Sequence, residues 1–235
     1  MAAVAAVAAV ELARIMSGSR SLTESAIVAV PVVALVVIAY YVPVSGNVAP
    51  ILVSMSAVVS VISMAWLLRA RPTGSFQAGL APTLATICLV AGTLLHAPIL
   101  RELEHGYEWI MYLLTVTFAF DTGAFLVGTT FGRTHLAPRI SPGKTWEGAT
   151  GGLLSSIATS LGIVSLLSME MSVLQAIGTG AGLGVIAQIG DLAESRLKRL
   201  GGAEDSGKMV PGHGGVMDRL DSIVWNLVVV YHFVS

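Results

Sequence analysis

Six apolar stretches, each long enough or nearly long enough to cross a hydrocarbon core about 30 Å thick, account for most of this chain. They are residues 27–44, 48–68, 78–95, 109–131, 149–167 and 173–190. A backbone in lipid must satisfy its hydrogen bonds internally, so stretches of this length and continuity fold as helices. The expected fold class is therefore all-α: a polytopic transmembrane helical bundle of about six to seven spans. A seventh apolar run, 223–234, has twelve residues before the chain stops. It either ends inside the protein or is a full span cut short. Composition agrees, since 54% of the 235 residues are hydrophobic and 11% charged, where soluble domains carry about 25% charged residues.

Several function classes fall away. A net charge of -1, with no block of like charges, offers nucleic acid no attracting field. The single cysteine, Cys88, lies in an apolar run, so neither a disulfide framework nor a cysteine metal site can be built within one chain. The opening "MAAVAAVAAVELAR" has no basic n-region and no persuasive cleavage site. Its apolar part is also too short to span, and we expect a surface-lying or partly buried helix.

Orientation follows from the basic residues, which are enriched in cytoplasmic loops. With the N-terminus inside, seven spans put Arg14, Arg20, Arg69, Arg71, Arg133, Arg139, Lys144, Arg196, Lys198, Arg199, Lys208 and Arg219 on the cytoplasmic side and leave Arg101 outside. Two cytoplasmic segments then stand out, 132–148 and 191–221, the second with six acids and five bases. Ordinary connections need neither that length nor that chemistry. We divide the chain into an N-terminal transmembrane region, 1–108, and a C-terminal region, 109–235, that carries the polar motifs.

Within "FAFDTGAF", Asp121 falls deep in the fourth stretch, about 18 Å from its outer end at 1.5 Å per residue. Ionisable groups at such depth usually line a polar path, although a structural hydrogen bond to a neighbouring helix is the alternative. The segment "SPGKTWEG" invites a P-loop reading, but Pro138 stands where a Walker A glycine would be needed. What remains is Arg139, Ser141, Lys144 and Thr145, whose donors suit a phosphate or headgroup as well as they suit plain anchoring. His96, His105 and His232 are assigned to span ends and interfaces.

Asp191, Glu194 and Lys198 lie at i, i+3 and i+7, so a helix continuing from the sixth stretch projects all three from one face; Ser195 and Arg199 repeat the spacing beside them. Such a face could hold a divalent cation or be a solvated helix end. In "PGHGGVMDRLDS", Pro211, Gly212, Gly214 and Gly215 make a continuous helix unfavourable and let backbone amides approach an anion, with His213 as a further donor. Asp218 and Asp221 follow at i, i+3 on the helix that returns to the membrane. Two hard oxygen ligands beside a phosphate-binding turn suit magnesium. An acid-rich helix start explains the acids and glycines only separately.

The run "SRLKRLGGAEDSGKMVPGHGGVMDRLD", 195–221, closely resembles the signature of phosphatidate cytidylyltransferases, also called CDP-diacylglycerol synthases: Ser195, Lys198 and Arg199, then Asp205, Pro211, His213, Gly214, Gly215, and finally Asp218, Arg219 and Asp221. "DTGAF" and "ISPGKTWEG" are similar to the family's upstream motifs. The resemblance implies transfer of a cytidylyl group from CTP to phosphatidic acid at an interfacial site formed by the polar cytoplasmic loops, in an integral membrane protein of the bacterial inner membrane, with a homodimer as the implied assembly. It implies Mg2+ as cofactor, with a monovalent cation such as K+ as a further candidate. Asp218, Asp221 and Asp191 would be metal ligands, with Asp205 a further ligand or a group behind them. Lys198, Arg199 and Arg219 would neutralise phosphate, while His213, Gly214 and Gly215 would shape its pocket. Ser141, Lys144 and Thr145 would close the pocket, Ser195 would contact substrate, and Asp121 would line the cavity. The chain departs from the family pattern at Glu204, where lysine is expected before Asp205; Lys208, one helical turn on, would restore the charge. A transporter of a phosphorylated substrate and an inactive family member are the competing readings.

Overall fold

The computed structural model describes residues 2–17, 22–41, 49–69, 80–203 and 215–235. Its helices are α1 (Ala2–Ser17), α2 (Leu22–Tyr41), α3 (Ala49–Arg69), α4 (Leu80–Leu94), α5 (His96–Glu102), α6 (Gly106–Phe131), α7 (Trp146–Leu166), α8 (Val173–Leu200), α9 (Met217–Leu220) and α10 (Ile223–Val234). Among the described residues, five segments are long and apolar enough to cross a membrane: Pro50–Arg69, Ala81–Glu102, Gly106–Phe131, Trp146–Leu166 and Val173–Leu200. Large apolar side chains such as Ile51, Ile62, Phe118, Phe125, Leu154 and Ile189 point outward from them. With no water to hide from in lipid, such a surface is stable, and the chain is an all-α, multi-pass membrane protein. Among the described residues, Ser25–Tyr41 within α2 and the twelve residues of α10 are shorter apolar helices.

The polar segment 132–148 is not a plain loop. It forms a two-stranded antiparallel hairpin, β1 (His135–Ala137) and β2 (Ser141–Thr145). Glu147, one residue into α7, ties the hairpin down by accepting the Arg133 and Thr134 amides, each at 3.2 Å. Thr145 ends β2 and caps α7, its hydroxyl oxygen accepting the Gly148 amide at 3.1 Å.

Small residues set the helix spacing. Helices α6 and α7 approach so closely at Gly152 that a Cβ there would lie 2.9 Å from the Phe120 carbonyl oxygen. Further along, Tyr112 on α6 bonds Ser160 of α7 at 2.7 Å and Thr179 of α8 at 2.6 Å, locking the three helices together. Helix α1 is amphipathic in its packing: Ala5, Ala8, Ala9, Leu12, Ile15 and Met16 are buried against the bundle. One histidine departs from expectation. His96 is fully buried rather than at an interface, because α10 returns beside α5 and places Tyr231 edge-on to its ring at 5.3 Å.

The two ends of the bundle differ in charge. Arg196 donates to the Leu68 carbonyl at 3.2 Å and Arg199 to the Ile140 carbonyl at 3.4 Å, so the last turn of α3, the hairpin and the end of α8 share one end. Arg101 lies at the other, its guanidinium 4.2 Å from the Tyr40 ring centroid.

Candidate active site

Helix α8 is the spine of the site. It continues unbroken past the sixth apolar stretch to Leu200, so Asp191, Glu194, Ser195 and Lys198 project from its last three turns. Asp191 is ion-paired with Lys144 of β2, which the hairpin carries in from the side. Ser195, one turn on, donates to Asp191 Oδ1 at 3.4 Å. Lys198 bridges two acids: its Nζ is 2.8 Å from Asp218 Oδ1 and 3.4 Å from Glu194 Oε2. Glu194 is only 1% exposed, a buried acid set beside the Lys198 ammonium.

Helix α9 brings the other acids. Asp218 Oδ2 accepts the Gly215 amide at 2.7 Å, closing a turn before the helix begins. Asp221 lies at its end, with Oδ1 accepting the Ser222 amide at 2.6 Å. Gly190 lets α8 pass unusually near, since a Cβ there would be 2.6 Å from the Asp221 carbonyl oxygen. Enclosure pushes the Asp221 carboxyl up to about 7; the nearby Asp191 and Asp121 carboxylates add to that rise, while the Ser222 amide and Lys144 oppose it. Asp121 itself stands on the same exposed face of α6 as Phe118 and Phe125, with Arg219 within electrostatic reach. It lies ten residues before the end of α6, and Asp191 nine before the end of α8, so both are recessed by about 15 Å.

Ion pairs, hydrogen bonds and electrostatic proximity therefore link Asp121, Lys144, Asp191, Ser195, Lys198, Gly215, Asp218, Arg219 and Asp221 into one polar cluster. It does not use the two aspartates of α9 alike. Asp218 is engaged by Lys198 and Gly215, whereas Asp221 stands with Asp191 and Asp121. Arg199 is exposed and bonds the hairpin backbone rather than the acids. Ser141 opens β2 opposite Ala137, and the Thr145 oxygen is occupied in capping α7. Asp205, Lys208, His213 and Gly214, like Glu204 and Pro211, lie outside the described residues. Spacing places Glu194 on the face of Asp191 and Lys198, and tertiary packing buries it there. Glu11 of α1, buried beside α9, carries no signal in the sequence beyond sharing a helix face with Ala8 and Ile15.

Five carboxylates, Asp121, Asp191, Glu194, Asp218 and Asp221, meet Lys144, Lys198 and Arg219 among the described residues. The acids outnumber the bases and the donors are hard oxygens, a set that suits a magnesium ion held by one or two carboxylates and by substrate phosphates. Among the described residues no three potential ligands converge on one point.

Comparison with known proteins adds to this geometry. The sequence matches the model of the cytidylyltransferase family over residues 1–235. The chain belongs to the cytidylyltransferase family. Among related proteins, the phosphatidate cytidylyltransferase of Brucella suis biovar 1 (strain 1330) is 42% identical over 132 residues, 54% of this chain and 47% of that protein. That of Staphylococcus aureus (strain COL) is 41% identical over 124 residues, 53% of this chain and 48% of the relative. The uncharacterized protein YnbB of Escherichia coli (strain K12) is 38% identical over 133 residues, 57% and 44% respectively. The matched part thus spans about half the length of these relatives.

Proposed function

We propose that this protein transfers the cytidylyl group of CTP to phosphatidic acid, giving CDP-diacylglycerol and pyrophosphate. The observation that carries the reading is the cluster of acids and lysines around Asp191 and Asp221, built into a membrane bundle of the cytidylyltransferase family. One substrate is a bilayer lipid and the other a soluble polyanion, so the reaction needs polar groups within reach of both phases. The exposure of Asp121 beside outward-facing Phe118 and Phe125 supports an opening towards lipid.

In the reaction, an oxygen of the lipid phosphate forms a bond to the α-phosphorus of CTP. The bond from that phosphorus to the bridging oxygen of the β-phosphate breaks, and pyrophosphate leaves with the electron pair. The lipid phosphate is already ionised, so no general base is assigned. The protein contributes alignment and charge neutralisation. Lys198 and Lys144, now paired with acids, would exchange those partners for phosphate oxygens, and Ser195 would hold Asp191 in orientation. Arg219 and Arg199 would neutralise charge at the margins, Arg199 through donors not given to Ile140. Asp191, Asp221 and Asp218 would hold Mg2+, with Asp205 beyond them; the crowding of Asp191 and Asp221 favours a cation there. When bound, the ion supplies neutralisation of the triphosphate and of the departing pyrophosphate.

The distribution of basic residues supports a cytoplasmic N-terminus and a site facing the cytoplasm from the bacterial inner membrane. Residues 109–235 would carry the chemistry on a support formed by 1–108, and the family resemblance implies a homodimer. The test is an assay of the purified chain with phosphatidic acid, labelled CTP and Mg2+. CDP-diacylglycerol and pyrophosphate in equal amounts support the reading; flux of a phosphorylated solute without product would replace it with transport.

A further inference from the structure

The shortest helix of the polar cluster, α9, depends on a helix far away in sequence. With only Met217–Leu220 in it, α9 cannot satisfy its own amides, and no side chain at its N-cap does so. The Met217 amide is instead taken by Glu11, whose Oε2 accepts it at 2.8 Å across 206 residues of sequence. Glu11 is 5% exposed and sits on the buried face of α1 with Ala8, Leu12 and Ile15. A carboxylate on a core-facing position is costly, so its retention there asks for a partner that uses it. The residue after Met217 is Asp218, which receives Lys198 and the Gly215 amide.

A second contact joins α1 to the site independently. Gly201, at the end of α8, passes so near α1 that a Cβ would collide with the Ile15 carbonyl oxygen and lie 2.7 Å from Ile15 Cγ2. Glu11 and Ile15 are one turn apart. One face of α1 thus sets both the end of α8, three residues after Lys198, and the start of α9, one residue before Asp218.

We propose that Glu11 is a positioning residue for Asp218: α1 fixes the first amide of α9 and, by holding Gly201, the distance between Lys198 and Asp218. The proposal rests on the cytidylyltransfer reading for its kinetic consequence, but not for its structural one. The experiment compares the full chain with Glu11→Ala, Glu11→Gln and, as a control for general loosening of the same face, Leu12→Ala. Two quantities are read: hydrogen exchange of the peptide covering 215–222, and the Mg2+ concentration giving half-maximal turnover. Losing a buried hydrogen bond to a charged acceptor corresponds to about tenfold or more. Glu11→Ala should therefore speed exchange in that peptide about tenfold and raise the Mg2+ requirement similarly. Glu11→Gln keeps an acceptor oxygen and should return both to within about threefold. Leu12→Ala should lower thermal stability without singling out that peptide. The proposal is overturned if Glu11→Ala lowers stability alone, leaving 215–222 exchange as in Leu12→Ala, or if glutamine restores nothing. Should the wild-type chain make no product, the proposed function fails while the exchange comparison still decides the role of Glu11.

Discussion

Helix α8 carries two polar nodes that behave in opposite ways. Near its start, Thr179 meets Tyr112 at 2.6 Å, and Ser160 meets both Tyr112 and the Ala176 carbonyl, the latter at 2.6 Å. Every group there is neutral and finds its partner within the protein. About 18 Å further along, Asp191 begins a node where five carboxylates share two lysines and Arg219, and where burial pushes Asp221 up to about 7. A node that closes on itself holds helices together. A node where acids crowd one another and outnumber the bases is relieved by a cation from outside, and that distinguishes a site from a joint.

The difference can be broken or sharpened by substitution. The largest effect is expected for Asp191→Asn and Asp221→Asn, each lowering CDP-diacylglycerol formation by on the order of a hundredfold or more while leaving helicity intact; circular dichroism and turnover, measured together, check both halves. Removing divalent cations with EDTA should abolish turnover, and Mg2+ should restore it in the wild type but not in those variants. Lys144→Ala removes the hairpin's ion pair with Asp191 while leaving its Arg199 contact, and should cost between about tenfold and a hundredfold in kcat/KM. Tyr112→Phe belongs to the other node. It should lower stability by about 1 kcal/mol in SDS titration and leave turnover per folded molecule within about twofold. A collapse of turnover in Tyr112→Phe at unchanged stability would erase the distinction between the nodes. Among substitutions in the charged node Ser195→Ala is the mildest, a loss of a few-fold, because the 3.4 Å hydrogen bond to Asp191 is long.

Much of this was legible in the sequence, because length and apolarity are properties of contiguous residues. The spans now seen as α3, α6, α7 and α8 lay where continuous apolar stretches required them, and the continuation of α8 followed from the spacing of Asp191, Glu194 and Lys198. The β1–β2 hairpin did not announce itself. Its strands are three and five residues long, one of them reads "SPGKT", and its geometry depends on Glu147 gathering the Arg133 and Thr134 amides. Nor could spacing show that Asp218 and Asp221 take different partners, since that division arises from how α9 lies across α8. Glu194 and Glu11 teach the same lesson. Their burial is made by neighbours distant in sequence, and only the folded chain shows that one supports Lys198 and the other caps α9.

The central claim is that the charged node of α8 is completed by a cation and a nucleotide. Its most direct test is calorimetric titration of CTP into the purified chain, with and without Mg2+, for the wild type, Asp221→Asn and Tyr112→Phe. The account predicts Mg2+-dependent binding in the wild type and in Tyr112→Phe, and none in Asp221→Asn. Binding of CTP that ignores both Mg2+ and the Asp221 substitution would contradict it.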